Sequence, residues 1–230
     1  VRVSRGTFAS AAELAVLAGG NAVAIGDGST DRWEVFQYAN AAPVEPGVWE
    51  LQLRLRGQAG TDGIVPEVWP AGSVVVALDR AVEQITFAPG NRGLARHYRI
   101  GTAARGYDDP AVVHRVDAFA GVGLRPYAPA HLRQTAVASG DRFTWVRRTR
   151  VDGDSWQSEE VPLGEASERY RVRVMQGSVV KREVDVTVPE WVYPTAQRAA
   201  DGVSGALRLE VAQVSDRYGP GPFKGIELDD

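Results

Sequence analysis

The chain has no cysteine among its 230 residues, a single methionine and three histidines. Without cysteine there is no disulfide framework, no thiol nucleophile and no cysteine-ligated zinc. Charge of one sign is not in excess either: 26 basic and 29 acidic residues are interspersed for a net charge of −3, so the basic footprint that nucleic-acid binding requires is missing and no sequence-specific nucleic-acid contact is expected. No apolar run approaches the roughly 18–20 residues of a membrane-spanning helix. The nearest, residues 11–25, is interrupted by Glu13, Gly19, Gly20 and Asn21. No charged segment followed by an apolar one marks a signal peptide. Because the chain starts at Val1 and its one methionine is Met175, it reads as a piece of a longer polypeptide.

Glycine and proline, 25 and 13 residues, punctuate what remains. The stretch 121–133, with Pro126 and Pro129 three apart, is predicted to be a stiff extended seam without helix, because proline fixes φ and pushes the preceding residue toward extended backbone. It separates two expected domains, 1–125 and 126–230. At this length each is large enough to bury a core without metal or disulfide.

In the first domain Ser10 and Glu13 have capping-box spacing ahead of Leu14, Val16 and Leu17, which predicts one short helix stopped by Gly19 and Gly20. Short extended runs follow at 22–25, 33–38, 48–55, 73–78, 82–87 and 97–100, separated by Gly-, Pro- and Asp-rich turns. Alternation across 49–56 predicts one face formed by Trp49, Leu51, Leu53 and Leu55 and a wet face formed by Glu50, Gln52, Arg54 and Arg56. In the second domain 142–148 alternates so that Phe143 and Trp145 point inward. Further strands are expected at 169–175, 179–188, 191–197 and 207–214. The predicted class is all-β, mostly antiparallel, with one short N-terminal helix.

Pro129, Ala130, His131 and Leu132 as a first strand, Trp145 on the second, Tyr170, Val172 and Val174 on the third, and the late run 207–215 before Gly219-Pro220-Gly221-Pro222 together resemble the fibronectin type III family. That resemblance implies a β-sandwich over the last hundred or so residues. Leu207 stands where the family usually carries a corner tyrosine. Trp33-Glu34-Val35-Phe36-Gln37-Tyr38, Leu55-Arg56-Gly57-Gln58, Gly72-Ser73-Val74-Val75-Val76-Ala77-Leu78-Asp79 and Arg105-Gly106-Tyr107-Asp108-Asp109-Pro110 resemble siphophage tail-hub and tail-tip proteins. With the seam they are most similar to the C-terminal region of the large baseplate ("megatron") proteins of alphaproteobacterial gene transfer agents. The resemblance implies a non-catalytic structural part of a tail tip or baseplate in a virion-like particle assembled in the bacterial cytoplasm. It further implies a homotrimer among other tail and baseplate proteins, with a part in host attachment and DNA delivery.

No catalytic, cofactor or metal residues are assigned. His97, His114 and His131 are scattered and fit no metal-ligand spacing. Asp108 and Asp109 are adjacent on a turn, where their side chains diverge, so loop duty is expected. Asp152, Gly153, Asp154, Glu159 and Glu160 do not complete a calcium-loop series. The 26–31 loop lacks the Gly-Lys-Ser/Thr ending of a phosphate loop, and the glycines near Ser73, Ser178 and Ser204 make no nucleophile elbow. Arg147, Arg148 and Arg150 are expected on a solvated strand face beside Glu159 and Glu160. An alternative function is a glycan-binding module for a host surface polysaccharide, with Trp156, Arg148 and Arg150 as the candidate contacts.

Overall fold

The computed structural model describes residues 1–153 and 160–228, with the side chain of Pro89 excepted. The chain divides into two compact units, Val1–Val122 and Gly123–Asp230. The division falls inside the 121–133 stretch, which carries a 3-10 turn at Val122–Leu124 immediately before its prolines.

The first unit runs α1 (Glu13–Leu17), β1 (Ala22–Gly26), β2 (Trp33–Glu45), β3 (Val48–Gln58), β4 (Val74–Ala77), β5 (Arg96–Ile100) and β6 (Val113–Asp117). Four strands form an antiparallel sheet in the order β3-β2-β1-β4, and β5 and β6 make a separate hairpin. One side of the sheet is sealed by Phe8, Val23, Phe36, Tyr38 and Leu51, with Phe8 edge-on to both Tyr38 and Trp49 at 5.7 and 6.3 Å between centroids. Burying side chains of this size is worth about 1.5–3 kcal/mol each.

Four expectations fail here. Ser10 does not cap α1: its hydroxyl accepts from the Ala41 amide at 3.0 Å, tying the entering chain to β2, and the helix starts at Glu13 without a side-chain cap. The helix buries only Val16; Leu14 and Leu17 are exposed. It is held instead through Gln37, whose side-chain amide donates to the carbonyls of Val16 and Gly20 at 2.5 and 2.8 Å. The alternation in β3 survives only to Leu51. Leu53 has φ +50° and is 63% exposed, which turns the rest of the strand so that Leu55 is exposed too. Residues 82–87 form no strand, and Val82 and Ile85 are exposed.

The second unit runs β7 (Ala130–Val137), β8 (Gly140–Val146), β9 (Tyr170–Gln176), β10 (Val179–Val186), β11 (Glu190–Pro194), α2 (Thr195–Ala200), β12 (Arg208–Ser215), β13 (Gly219–Pro220) and β14 (Lys224–Glu227). One sheet is β11-β8-β7; the other has β10-β9-β12, with β13 and β14 both on β12. Setting the two-residue β13 aside, the first, second and fifth strands thus face the third, fourth, sixth and seventh, as in a fibronectin type III sandwich. Phe143, Trp145, Tyr170, Val172, Val174, Tyr193, Leu209 and Val211 alternate inward from both sheets into one core, so the inward reading of Phe143 and Trp145 holds. The outer face of β9 and β10 is a ladder of ion pairs, Arg171 with Asp185 at 2.8 Å and Arg173 with Glu183 at 2.6 Å.

The run 191–197 is half strand and half helix: Pro194 ends β11 and takes the N-cap position of α2, a second helix absent from the sequence reading. Leu207 is buried at the corner before β12 and has no hydroxyl to donate. A different tyrosine does the corner's work. The Tyr193 hydroxyl donates to Asp201 at 2.7 Å, and Arg182 of β10 donates to both oxygens of the same carboxylate at 2.7 and 2.6 Å. Strand β10, strand β11 and the end of α2 meet at one carboxylate.

Candidate functional site

A hollow of about 660 Å³ lies on the sheet of the first unit among Phe36, Trp49, Leu51, Arg54, Arg56 and Trp69. At its base is Glu34, which β2 carries between Trp33 and Val35 and which is fully buried. An ionised carboxylate is tolerated there only if its lone pairs are filled. Arg56 donates twice, at 2.9 and 2.7 Å, Trp69 donates its indole N–H at 2.6 Å, and the Gly57 amide at 3.3 Å. Arg56 is itself fixed by the carbonyls of Pro66 and Glu67 at 2.9 and 3.3 Å. Gly57 is required at its position: φ is +65°, and a Cβ would stand 2.7 Å from Cα of Asp62. Burial alone raises the pKa of Glu34, but the hydrogen bonds from Arg56 and Trp69 outweigh it and hold the carboxyl below its ordinary range. A carboxylate so saturated with donors is a poor proton carrier. Nothing in the sequence marks it, since Arg56 and Trp69 lie 22 and 35 residues away.

In the second unit, Arg148 lies over the ring of Tyr127 and Arg150 over that of Tyr218, each 5.1 Å from the centroid. Arg150 also pairs with Glu165 at 2.8 Å at the rim of a hollow of about 390 Å³ shared with Asp216, Arg217 and Tyr218. Arg147 donates to the Val161 carbonyl at 2.7 Å and lies within 4.0 Å of Glu160 and Glu168. The arginine run is therefore engaged by side chains of its own unit, and Glu165 and Glu168 join Glu160 as its acids. Trp156, the third candidate glycan contact, lies outside the described residues, as do Asp154, Ser155 and Glu159.

Asp109 has the loop role expected of it, accepting from the Ala111 amide at 2.8 Å and from Arg105 at 3.0 Å. The reading of the histidines as scattered needs correction. Hairpin β5–β6 brings His97 and His114, 17 residues apart, to 2.9 Å between ring nitrogens, while His131 lies on β7. Among the described residues no cluster of three or more His, Asp and Glu is arranged to hold a metal, and no helix is long and apolar enough to cross a membrane.

Residues 1–76 match the family model described as Rcc01698-like, C-terminal. The match ends within β4, so it takes in the four-stranded sheet and the Glu34 cluster and leaves out the β5–β6 hairpin. No curated protein matches the chain. Two similar solved structures are domains d3–d4 of the rat CD45 extracellular region and the chicken CNTN1 FN1–FN3 domains. The first is 11% identical, with 90% of this chain and 94% of that one covered and a TM-score of 0.35. The second is 12% identical, with 89% of this chain and 64% of that one covered and a TM-score of 0.30.

Proposed function

We propose that the chain is a structural, non-catalytic part of the tail tip or baseplate hub of a phage-like particle of the gene-transfer-agent kind. The match of residues 1–76 to the Rcc01698-like C-terminal family, a family associated with gene transfer agents, carries this reading. Two β-rich units support it. So does the cluster of exposed Leu17, Leu53 and Leu55 beside α1, apolar surface of the kind that marks a contact with another protein. The partners are neighbouring tail and baseplate chains, with the protein itself as a homotrimer, and the contribution is to host attachment and DNA delivery from the particle's tail.

Antibody labelling of purified particles, combined with cross-linking mass spectrometry, tests the proposal. The expected result is label at the tail tip and cross-links from residues around Leu17 and Leu53 to a tail protein. Absence of the chain from purified tails overturns it. A glycan-binding role is the second reading, favoured by the hollow that Arg150 shares with Tyr218, Asp216 and Arg217. Titration with polysaccharide purified from a host surface, against Trp156→Ala and Arg150→Ala, decides it, and binding unchanged by both substitutions removes it.

A further inference from the structure

His97 on β5 and His114 on β6 sit on one face of an antiparallel hairpin in the diagonal relation, with His97 opposite Val116 and His114 opposite Arg99. Nδ1 of His97 and Nε2 of His114 are 2.9 Å apart, the ring centroids are 5.1 Å apart and the ring planes differ by 10°. A centroid separation close to the N···N distance plus the two ring radii means that the imidazoles lie nearly in one plane, nose to nose. They do not overlap face on face. Each facing nitrogen therefore aims its lone-pair direction at the other, and both rings are exposed.

We propose that this pair chelates a divalent late first-row transition ion, of the class zinc, nickel and copper. Two imidazole nitrogens at about 2.1 Å from a tetrahedral ion stand about 3.4 Å apart, so the rings must open by about half an ångström and each turn by roughly 35° about their side-chain torsions, so that the two lone pairs converge on a point beside the present N···N line. In the neutral pair one facing nitrogen carries the proton of the present hydrogen bond. On binding, that ring passes to its other tautomer, the N–H turns outward to solvent, both lone pairs face the ion, and no proton is released. Imidazole suits these ions, whereas magnesium and calcium demand oxygen ligands.

The hairpin is built to hold the pair. On its opposite face Tyr98 packs edge-on against Phe87 and Phe119, at 6.5 and 5.8 Å, which anchors β5. The cation nearest in register, Arg99, opposite His114, is engaged by Tyr107. It donates to the Tyr107 carbonyl at 3.1 Å and lies over that ring at 6.0 Å. With two protein ligands the ion keeps open positions, filled by water or by a donor from another molecule.

Calorimetric titration of the 230-residue chain with zinc, nickel and copper chlorides tests the site. One ion per chain is expected, copper tightest by the general affinity order of these metals, with no heat from magnesium or calcium. His97→Gln and His114→Gln, conservative changes at exposed positions, are each expected to weaken binding by more than the ~10–100-fold that loss of a mere supporting residue costs. His131→Gln leaves it unchanged. Substoichiometric copper broadens amide resonances of β5 and β6 before any others. No saturable binding, binding indifferent to both substitutions, or broadening centred elsewhere each overturns the proposal.

Discussion

Replacing Glu34 by glutamine removes one charge from the base of the first sheet while keeping the shape. The carboxylate side chain is 1% exposed and its principal partner Arg56 is 34% exposed. Removing one member of a buried pair costs about 3–5 kcal/mol, because the survivor is left buried and unpaired. Arg56 keeps the carbonyls of Pro66 and Glu67 and part of its hydration, which puts the cost at the lower end, about 3 kcal/mol. Glutamine also turns an N–H₂ group toward a site surrounded by donors, so repair by rotation is poor. At about 1.4 kcal/mol per tenfold, amide exchange in β1 and β2, measured on the whole chain, should quicken by about 100-fold. Exchange in β9 and β12, in the other unit, should not change. The paired replacement Glu34→Met with Arg56→Met removes both charges but leaves the Trp69 indole and the Gly57 amide without their acceptor, so it should recover only part of the loss. If Glu34→Gln alters exchange by no more than the ~0.5 kcal/mol of an ordinary surface change, the cluster is not what holds this sheet, and the argument from its saturated hydrogen bonds fails.

Asp201→Asn leaves Arg182 without its carboxylate and should cost about 2 kcal/mol, read as faster exchange in β10 and β11, whereas Tyr193→Phe should cost about 1. On acidification, hydrogen bonds from Arg182 hold the Asp201 carboxyl low, hydrogen bonds from Arg171 hold Asp185 low, and Glu34 is low for the reasons given above. Their contribution is complete above the unfolded-state carboxylate range of about pH 4. It is lost as the pH falls below that, so unfolding followed by circular dichroism should be flat from neutrality to about pH 5 and steep below it. In alkali, burial and the Asp201 carboxylate push Tyr193 up to about 12, so its phenolate absorbance should appear after that of the exposed tyrosines. Leu53→Ser, at a position 63% exposed, should leave exchange in the first sheet within about 0.5 kcal/mol of the parent; a loss of core size would mean that Leu53 is packed.

The second unit was the more legible in sequence, and the reason is periodicity. Tyr170, Val172 and Val174 alternate without a break because both faces of β9 have fixed surroundings, a core inside and a ladder of charges outside. In β3 the same pattern misled, since a single left-handed residue at Leu53 moves later side chains to new faces, and composition does not announce it. Pro194, inside the expected strand 191–197, was not readable as a helix start, because the residues after it have no apolar face to bury. The Glu34 cluster and the histidine pair were illegible for one shared reason. Each joins residues through a strand register, and register depends on pairing that local sequence does not specify.

The clamp of Tyr193, Asp201 and Arg182 has a consequence for how the unit resists pulling. Tension carried through the second unit from its first strand to its last falls on β7 against β8 and on β14 against β12, the pairs that hold the two outer strands in place. β10, which carries Arg182, is at the far edge of its sheet and lies off that path. The clamp thus opposes heat and acid, which loosen every edge at once, and adds little to the force at which the unit is pulled apart. In a fibre or tail under strain, toughness would be tuned at the β7 and β14 seams, and resistance to melting at the corner carboxylate, independently of each other.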